Sequence, residues 1–380
     1  MNGFGLYVHW PFCAAKCPYC DFNSHVRNRI DEAGWREAIL REMAHAAGLQ
    51  GDIRPRLDTI FFGGGTPSLM GGESVGAIID AATRLWPAAD GIEITLEANP
   101  ASAEAARFAD YRAAGVNRLS LGVQALDDAD LKFLGRLHDL AEAKAALAMA
   151  MKTFDRVSLD LIYALPGQTV ESWKAELAEA LAFGTEHLSL YQLTIEPQTP
   201  FAIRHKKGAF KVPDDDRAAE LFEATQELTA AAGLPAYEVS NHARPGAECR
   251  HNLIYWRYGD YVGIGPGAHG RIEVCGKRIA TACERLPERW LEKVMREGHG
   301  FAETSEISIQ DAARENLLMS LRLAEGLDVE AYRARWGTAL DPNRIAVLAD
   351  EGLLTLESNR ARATPHGLLV LNAVIAMLAE

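Results

Sequence analysis

The strongest constraint on the fold of this chain is a repeated alternation of short apolar runs with amphipathic segments through its first half. Apolar runs that read as strands lie at 6–8, 57–62, 92–97, 118–123, 156–161 and 187–194, and helical spacing of apolar side chains falls at 31–49, 73–85, 102–114, 140–151 and 170–183. Gly115 and Pro166-Gly167 punctuate the series, and Ser102 is the expected N-cap of the helix that follows it. Six strand-then-helix units predict a parallel sheet covered by helices. An open doubly wound sheet and a barrel share that pattern. What separates them is the end of each strand: a cysteine loop, a Gly63-Gly64-Gly65-Thr66-Pro67 turn, Glu97, Gln124, Asp160, and the run Tyr191 to Thr194. Chemically distinctive groups at the C-terminal ends of many strands mark a barrel mouth. The expected fold is therefore α/β, a partial (β/α)6 TIM-like barrel.

The cysteine loop carries the chemistry. Cys13, Cys17 and Cys20 stand at C-x3-C-x2-C spacing directly after the first strand, in YVHWPFCAAKCPYCDFNS. Three thiolates on one loop can hold three irons of a cubane and leave the fourth open to a ligand, whereas electron-transfer clusters take four cysteines. A structural zinc site favours paired knuckles, and a redox pair needs only C-x-x-C. Neither accounts for three thiols at this spacing.

Beyond the alternating region, a helix at 213–233 precedes a short strand at 237–239 and a polar, aromatic stretch at 240–270. Helical segments at 290–295 and 312–323 follow, then helix, helix, a hairpin at 353–363 and a last helix from Pro365. That order predicts a mostly helical, winged-helix-like module, and we place the domains at 1–285 and 286–380. The net charge of −13 and the lack of a basic recognition helix favour packing over nucleic-acid binding. The run Arg204-His205-Lys206-Lys207 reads as a solvated loop. There is no apolar window long enough for a membrane helix and no signal-peptide pattern, so the expected location is cytoplasmic. Cys249, Cys275 and Cys283 are scattered and read as free thiols in a reducing compartment.

The loop spacing, with an aromatic at Tyr19 before the last cysteine, resembles the cluster loop of the radical S-adenosylmethionine (SAM) superfamily. GLYVHWPFCAAKCPYCDFNS is similar to the branch holding oxygen-independent coproporphyrinogen III oxidase and the heme chaperone HemW. The resemblance implies a six-unit partial barrel, one [4Fe–4S] cluster on Cys13, Cys17 and Cys20, and SAM chelated to its open iron. It places Gly64, Gly65 and Thr66 at the methionine amine and Arg136 at the methionine carboxylate, with Glu97, Gln124 and Asp160 among the other SAM contacts. Tyr7, Tyr19 and Phe22 fall beside cluster and adenine; Thr194 and His269 complete the pocket.

Two functions divide that branch. The oxidase carries a further cysteine two positions past the third, where this chain has Phe22, and an N-terminal extension, where this chain has six residues before Tyr7. His251-Asn252-Leu253-Ile254-Tyr255-Trp256 matches the HNxxYW motif of the chaperone, so His251, Tyr255 and Trp256 are expected at heme, with His251 as an axial ligand. The resemblance thus implies a heme carrier with no assigned catalytic residue. Its implied partners are heme, a heme-acceptor protein (a membrane-associated respiratory protein among the candidates), and an electron donor such as flavodoxin or ferredoxin.

Overall fold

The computed structural model describes residues 3–51 and 53–379. Strand β1 (Phe4–Trp10) leads into the cysteine loop, which two short strands, β2 (Phe12–Cys13) and β3 (His25–Val26), pin in parallel. Then come α1 (Glu32–Leu49), β4 (Leu57–Gly64), α2 (Gly72–Leu85), β5 (Ala88–Ala98), α3 (Ser102–Ala105) and α4 (Phe108–Ala113). The series continues with β6 (Arg118–Gln124), α5 (Asp128–Phe133), α6 (Leu140–Thr153), β7 (Arg156–Tyr163), α7 (Val170–Ala182) and β8 (His187–Gln192). The six expected units are present, and β1-β4-β5-β6-β7-β8 are neighbours in that order, every pair parallel. One expectation fails locally: the helix at 102–114 is broken into α3 and α4. Ser102 is not its cap, because the serine hydroxyl instead donates to Glu142 at 2.5 Å.

The strand faces explain why this sheet curls around a polar interior. Side chains alternate with period two along a strand. Leu6, Val8, Ile60, Phe62, Ile94, Leu96, Leu119, Leu121, Leu159 and Leu188 point one way, all buried in the main hydrophobic core under the helices. Their neighbours point the other way: Tyr7, Thr59, Glu93, Glu97, Arg118, Ser120, Ser158, Asp160, His187, Ser189 and Tyr191. These line a lumen. Tyr191 keeps 44 % of its surface open, yet that surface looks into the lumen toward Asp160, Glu238 and Glu97.

After α8 (Pro200–Lys206) and α9 (Asp215–Ala231), antiparallel β9 (Asn241–Ala243) closes the β8 edge, in place of the strand expected at 237–239. Helix α10 (Arg250–Trp256) then returns the chain to β10 (Asp260–Ile264), parallel to β1 on its free side. β11 (His269–Val274), β12 (Lys277–Cys283) and, after α11 (Pro287–Glu297), β13 (Phe301–Glu306) extend that edge antiparallel, giving a sheet of 11 strands. This meander carries little signal in the sequence, because β13 (FAETSE) has one buried residue and no apolar alternation.

A second core, around Leu317, Leu321, Leu348, Leu354 and Val374, holds α12 (Ile309–Ser320), β14 (Leu327–Asp328), α13 (Val329–Trp336), α14 (Pro342–Asp350), β15 (Leu354–Glu357), β16 (Arg360–Ala363), α15 (Pro365–Leu369) and α16 (Leu371–Ala379). The small sheet, ordered β14-β16-β15, with its flanking helices matches the winged-helix-like expectation. Trp290 of α11 is buried in the first core and stacks on Trp35 of α1 at 5.2 Å and 7°. Packing therefore puts the seam after Glu306 rather than after Arg285.

One buried carboxylate ties that late meander to the barrel. Glu42 of α1 accepts the amides of Gly265 (2.8 Å) and Gly300 (2.7 Å), the Trp290 indole N–H at 3.0 Å and the Cys283 thiol at 3.5 Å. Removing an acceptor that serves several buried donors strands them all. Glu42→Ala is expected to cost ~3 kcal/mol or more, read as a lowered denaturation midpoint in near-ultraviolet circular dichroism; an unchanged midpoint refutes the staple.

Candidate functional site

The cysteine loop is fastened at both ends. His9 Nε2 donates to the carbonyl of Asn23 at 2.9 Å, which fixes the tautomer and makes Nδ1 the acceptor for the Tyr7 hydroxyl at 3.0 Å. Asn23 Nδ2 donates to the carbonyls of Pro266 (2.8 Å) and Arg285 (2.9 Å), and the Phe201 amide donates to Pro18 O at 2.9 Å. Cys13, Cys17 and Cys20 are all half-buried, and burial is the first cause raising the Cys13 and Cys20 thiols above their usual range. Among the described residues no three His, Cys, Asp or Glu side chains converge on a single-ion site. A cubane needs no such convergence, since each thiolate binds a different iron.

The Gly63-Gly64-Gly65 turn is shaped by the loop it faces. Gly64 has φ +112°, and a Cβ there would stand 2.6 Å from the His9 ring; at Gly65 it would stand 2.7 Å from Phe12 O. The Gly65 and Thr66 amides are spent on Trp10 O (2.7 Å) and Phe12 O (2.8 Å), while the Gly64 amide donates to Glu97 Oε2 at 3.2 Å. Glu97 is thereby held at the lumen rim. Burial first, and the neighbouring Asp160 second, push its carboxyl up to about 8. Asp160 is also raised by burial, although Ser120 (2.9 Å) and Ser158 (3.1 Å) donate to it.

Arg136 joins the loop to the lumen. Its Nη1 approaches Cys17 Sγ at 3.4 Å, and its Nη2 donates to Asn99 Oδ1 (2.6 Å) and Gly122 O (2.9 Å). Its Nε is buried without a partner, so the guanidinium retains a donor for an anionic group. That fits the carboxylate of an amino-acid ligand on an open iron. Asn99, absent from the expected set, also donates to Thr66 Oγ1 at 3.2 Å, and so links the turn to Arg136. Gln124 sits beyond a register shift at the end of β6 with φ +78°, a strained position for a residue with a side chain.

The HNxxYW segment lies elsewhere. His251, at the start of α10, is 1 % exposed and forms part of the lumen floor, stacked 5.0 Å from Phe61 and 6.4 Å from Tyr7. Its Nδ1 meets Thr59 Oγ1 at 2.6 Å, its Nε2 meets the Tyr255 hydroxyl at 2.7 Å, and its backbone amide donates to Glu93 at 3.1 Å. Burial pushes the ring down to about 3. Both ring nitrogens of His251, the expected heme ligand, have partners within the fold, and the ring is enclosed. Tyr255 is committed to that hydrogen bond and packs edge-on to Tyr261 at 4.4 Å, while Trp256 is half-buried where its carbonyl accepts from Ser320.

The structure thus gathers Tyr7, Cys13, Cys17, Tyr19, Cys20, Gly64, Gly65, Thr66, Glu97, Gln124, Arg136 and Asp160 around one mouth. Phe22 is there too, but 59 % exposed. Thr194 is exposed and its hydroxyl donates to Gln192 O at the end of β8 (3.4 Å), and His269 is exposed on β11, within the electrostatic reach of His9. A cleft of about 940 Å³ lies at the opposite end of the strands, against Phe4, Asp58, Leu327, Tyr332 and Arg335, away from the cysteine loop.

Because Glu97 is held protonated to about 8 against 4.5 unfolded, its contribution to stability is present below 4.5 and is lost as pH rises through 8. Across that window the ligand-free chain should lose stability, and Glu97→Gln should flatten the slope. Equal slopes in thermal melts of the two proteins contradict the assignment.

The site's family follows from comparison with known proteins. Residues 7–180 match the Radical SAM superfamily, and residues 307–370 match the HemN C-terminal domain. The chain is 38 % identical to the heme chaperone HemW of Escherichia coli over 99 % of its length and 98 % of that protein. It is 33 % identical to the HemW of Bacillus subtilis, covering 98 % and 99 %. A mouse relative, Radical S-adenosyl methionine domain-containing protein 1, mitochondrial, is 40 % identical over 98 % of this chain and 86 % of that one. The solved coproporphyrinogen III oxidase HemN of E. coli superposes with a TM-score of 0.82 over 99 % of this chain and 90 % of that one, at 23 % identity, a likeness of fold. The chain belongs to the radical SAM superfamily, in the HemN-like branch that also contains the heme chaperones named HemW.

Proposed function

We propose that the chain is a heme chaperone of the HemW type, which binds heme and transfers it to an acceptor protein while carrying one [4Fe–4S] cluster with exchangeable SAM. Membership of the superfamily implies the cluster and SAM; heme rests on the full-length similarity to proteins named heme chaperones. The single observation that favours carrier over oxidase is Phe22, an exposed apolar side chain where the oxidase has a further cysteine. The lumen wall is consistent with it. Around Tyr191 it presents Glu97, Asp160 and Glu238, and the buried Arg118 already lies in the field of Glu93 and Asp160, so that cation is committed within the fold and not offered to a propionate.

In this reading Cys13, Cys17 and Cys20 hold the cluster. When bound, cluster and SAM together supply one-electron reductive chemistry. Arg136 orients the methionine carboxylate, and Gly64, Gly65 and Thr66 set the position of its amine. Glu97, Gln124 and Asp160 offer acceptors to the amine and ribose hydroxyls. Tyr7, Tyr19 and Phe22 wall the cluster side, and Thr194 and His269 stand at the outer rim. His251 and Tyr255 close the floor. No helix among the described residues is long and apolar enough to cross a membrane.

Anaerobically reconstituted chain should bind heme in equimolar amount by absorbance titration, without converting coproporphyrinogen III to protoporphyrinogen IX when SAM and reductant are supplied. Conversion overturns the carrier reading. His251→Ala should keep the heme stoichiometry and lower the melting temperature; loss of heme from a well-folded variant restores His251 as ligand.

Arg136→Met removes a charged hydrogen bond, worth ~1.5–3 kcal/mol, or roughly ten- to a hundredfold in Kd for SAM. The measurement is calorimetric titration at unchanged iron content. An unchanged Kd rules out Arg136 as the carboxylate partner.

A further inference from the structure

The cleft at the foot of the strands belongs to neither hydrophobic core alone. Phe4 comes to it from the barrel core, and Leu327 and Tyr332 come from the core of the C-terminal module. Asp328, Ala331, Tyr332 and Arg335 recur at helical spacing, so one face of α13 forms part of its wall. The HNxxYW helix also ends here: Arg257, the C-cap of α10, lines the cleft, and Ser320 in the wall donates to Trp256 O at 3.3 Å. A volume of about 940 Å³ falls within the roughly 300–1,000 Å³ of small-molecule and cofactor sites.

Three polar groups of this wall keep capacity that the fold does not use. Arg335 donates through Nη1 to Tyr258 O at 3.3 Å, and its guanidinium stands over the rings of Trp336 (4.6 Å) and Tyr258 (5.6 Å), which hold it without neutralising it. The other arginines of the cleft are ion-paired, Arg56 with Asp90, Arg257 with Glu325 and Arg360 with Asp328. Arg335 has no ion pair among the described residues: Asp260 and Glu273 act on it through space, and Asp260 is held by Arg278. Tyr332 is only 5 % exposed, yet its hydroxyl has no hydrogen-bond partner among the described residues. Cys275 is an exposed free thiol at the rim. With Gly276 it makes the two-residue turn between β11 and β12, at φ +50° and +76°. Positive φ at both turn positions selects Asn, Asp or Gly, so the cysteine stands there against local preference.

Apolar walls, a cation with free donors, a buried hydroxyl and a thiol together suit an apolar ligand that carries carboxylates and a thiophilic metal. Heme has all three properties. We propose that this cleft is the heme site, with the Cys275 thiolate ligating the iron and Arg335 and Tyr332 holding a propionate. The inference rests on the carrier reading above and gives its cargo a place that the enclosed His251 does not offer. Ligation forms one Fe–S bond; the thiol proton passes to solvent, and the oxidation state of the iron is unchanged. A ligand supplied from an exposed rim leaves the iron open to a competing side chain of an acceptor, as a carrier requires.

The test titrates heme into the anaerobically reconstituted full-length chain. Equimolar heme should protect Cys275 from N-ethylmaleimide, read on its own peptide by mass spectrometry, and Cys275→Ser should shift the Soret band. Arg335→Glu should raise the Kd for heme about tenfold. Ala331→Trp, which fills the cleft from an exposed position on α13, should raise it at least as much. Circular dichroism and an unchanged cluster iron content, both taken before heme is added, show that each variant is folded. Undiminished labelling of Cys275 at saturating heme, or an unshifted Soret band in Cys275→Ser, overturns the site and leaves the carrier reading standing. Thiolate ligation with a Kd indifferent to both Arg335→Glu and Ala331→Trp is adventitious capture by a surface thiol and overturns the site as well. Absence of heme binding by the wild type overturns the carrier reading and the cleft with it.

Discussion

Everything at the mouth depends on the polar face of the parallel strands. Strands covered on both sides are usually apolar throughout; here RLSLG, RVSLD and HLSLY alternate strictly, with Ser120 of β6 opposite Ser158 of β7 and Asp160 of β7 opposite Ser189 of β8. Leucine fills the helix side and serine the lumen side. Burying a carboxylate such as Asp160 is costly unless hydrogen-bond donors meet it, and Ser120 and Ser158 do. The lumen therefore stays polar and open, where a hydrophobic barrel would fill itself with side chains and leave no room for a ligand.

The same alternation shows how much was legible in the sequence. The six units could be read because their apolar face is continuous and their breakers are glycine and proline. The cysteine loop could be read because no common alternative uses three thiols at that spacing. The period-two polar face was equally visible, but alternation in a strand marks one polar face without saying whether that face meets solvent or a lumen. Asn99 escaped for a different reason. Its role is to bridge Thr66 and Arg136, residues far from it in sequence, and no local pattern signals such a bridge. The β11–β13 meander was missed because its strands are amphipathic only in part and its last member is almost wholly exposed.

Arg136 and Glu42 show two ways of using a buried charge. Glu42 spends its acceptor capacity on four donors from Gly265, Cys283, Trp290 and Gly300, so its function is complete within the fold. Arg136 is also enclosed, yet it is met by a thiol, an amide oxygen and a carbonyl, with one nitrogen left over. A saturated group is complete within the fold; Arg136 keeps a donor to offer.

The HNxxYW segment is bound into the fold through its own hydrogen bonds. A histidine followed by tyrosine and tryptophan on a short helix has the composition of a heme contact, and sequence similarity strengthens that impression. In the fold, Glu93 holds the His251 amide and the Cys249 thiol from beneath, and Arg156 neutralises Glu93. The imidazole is then clamped between Thr59 and Tyr255 under Tyr7, whose hydroxyl reaches His9 and, through it, the Asn23 carbonyl of the cysteine loop. The motif supports the cluster loop from the far end of β1. Its residues are tied to the cofactor site by packing through the lumen, and a side chain so placed can be indispensable to that site without touching anything the protein binds.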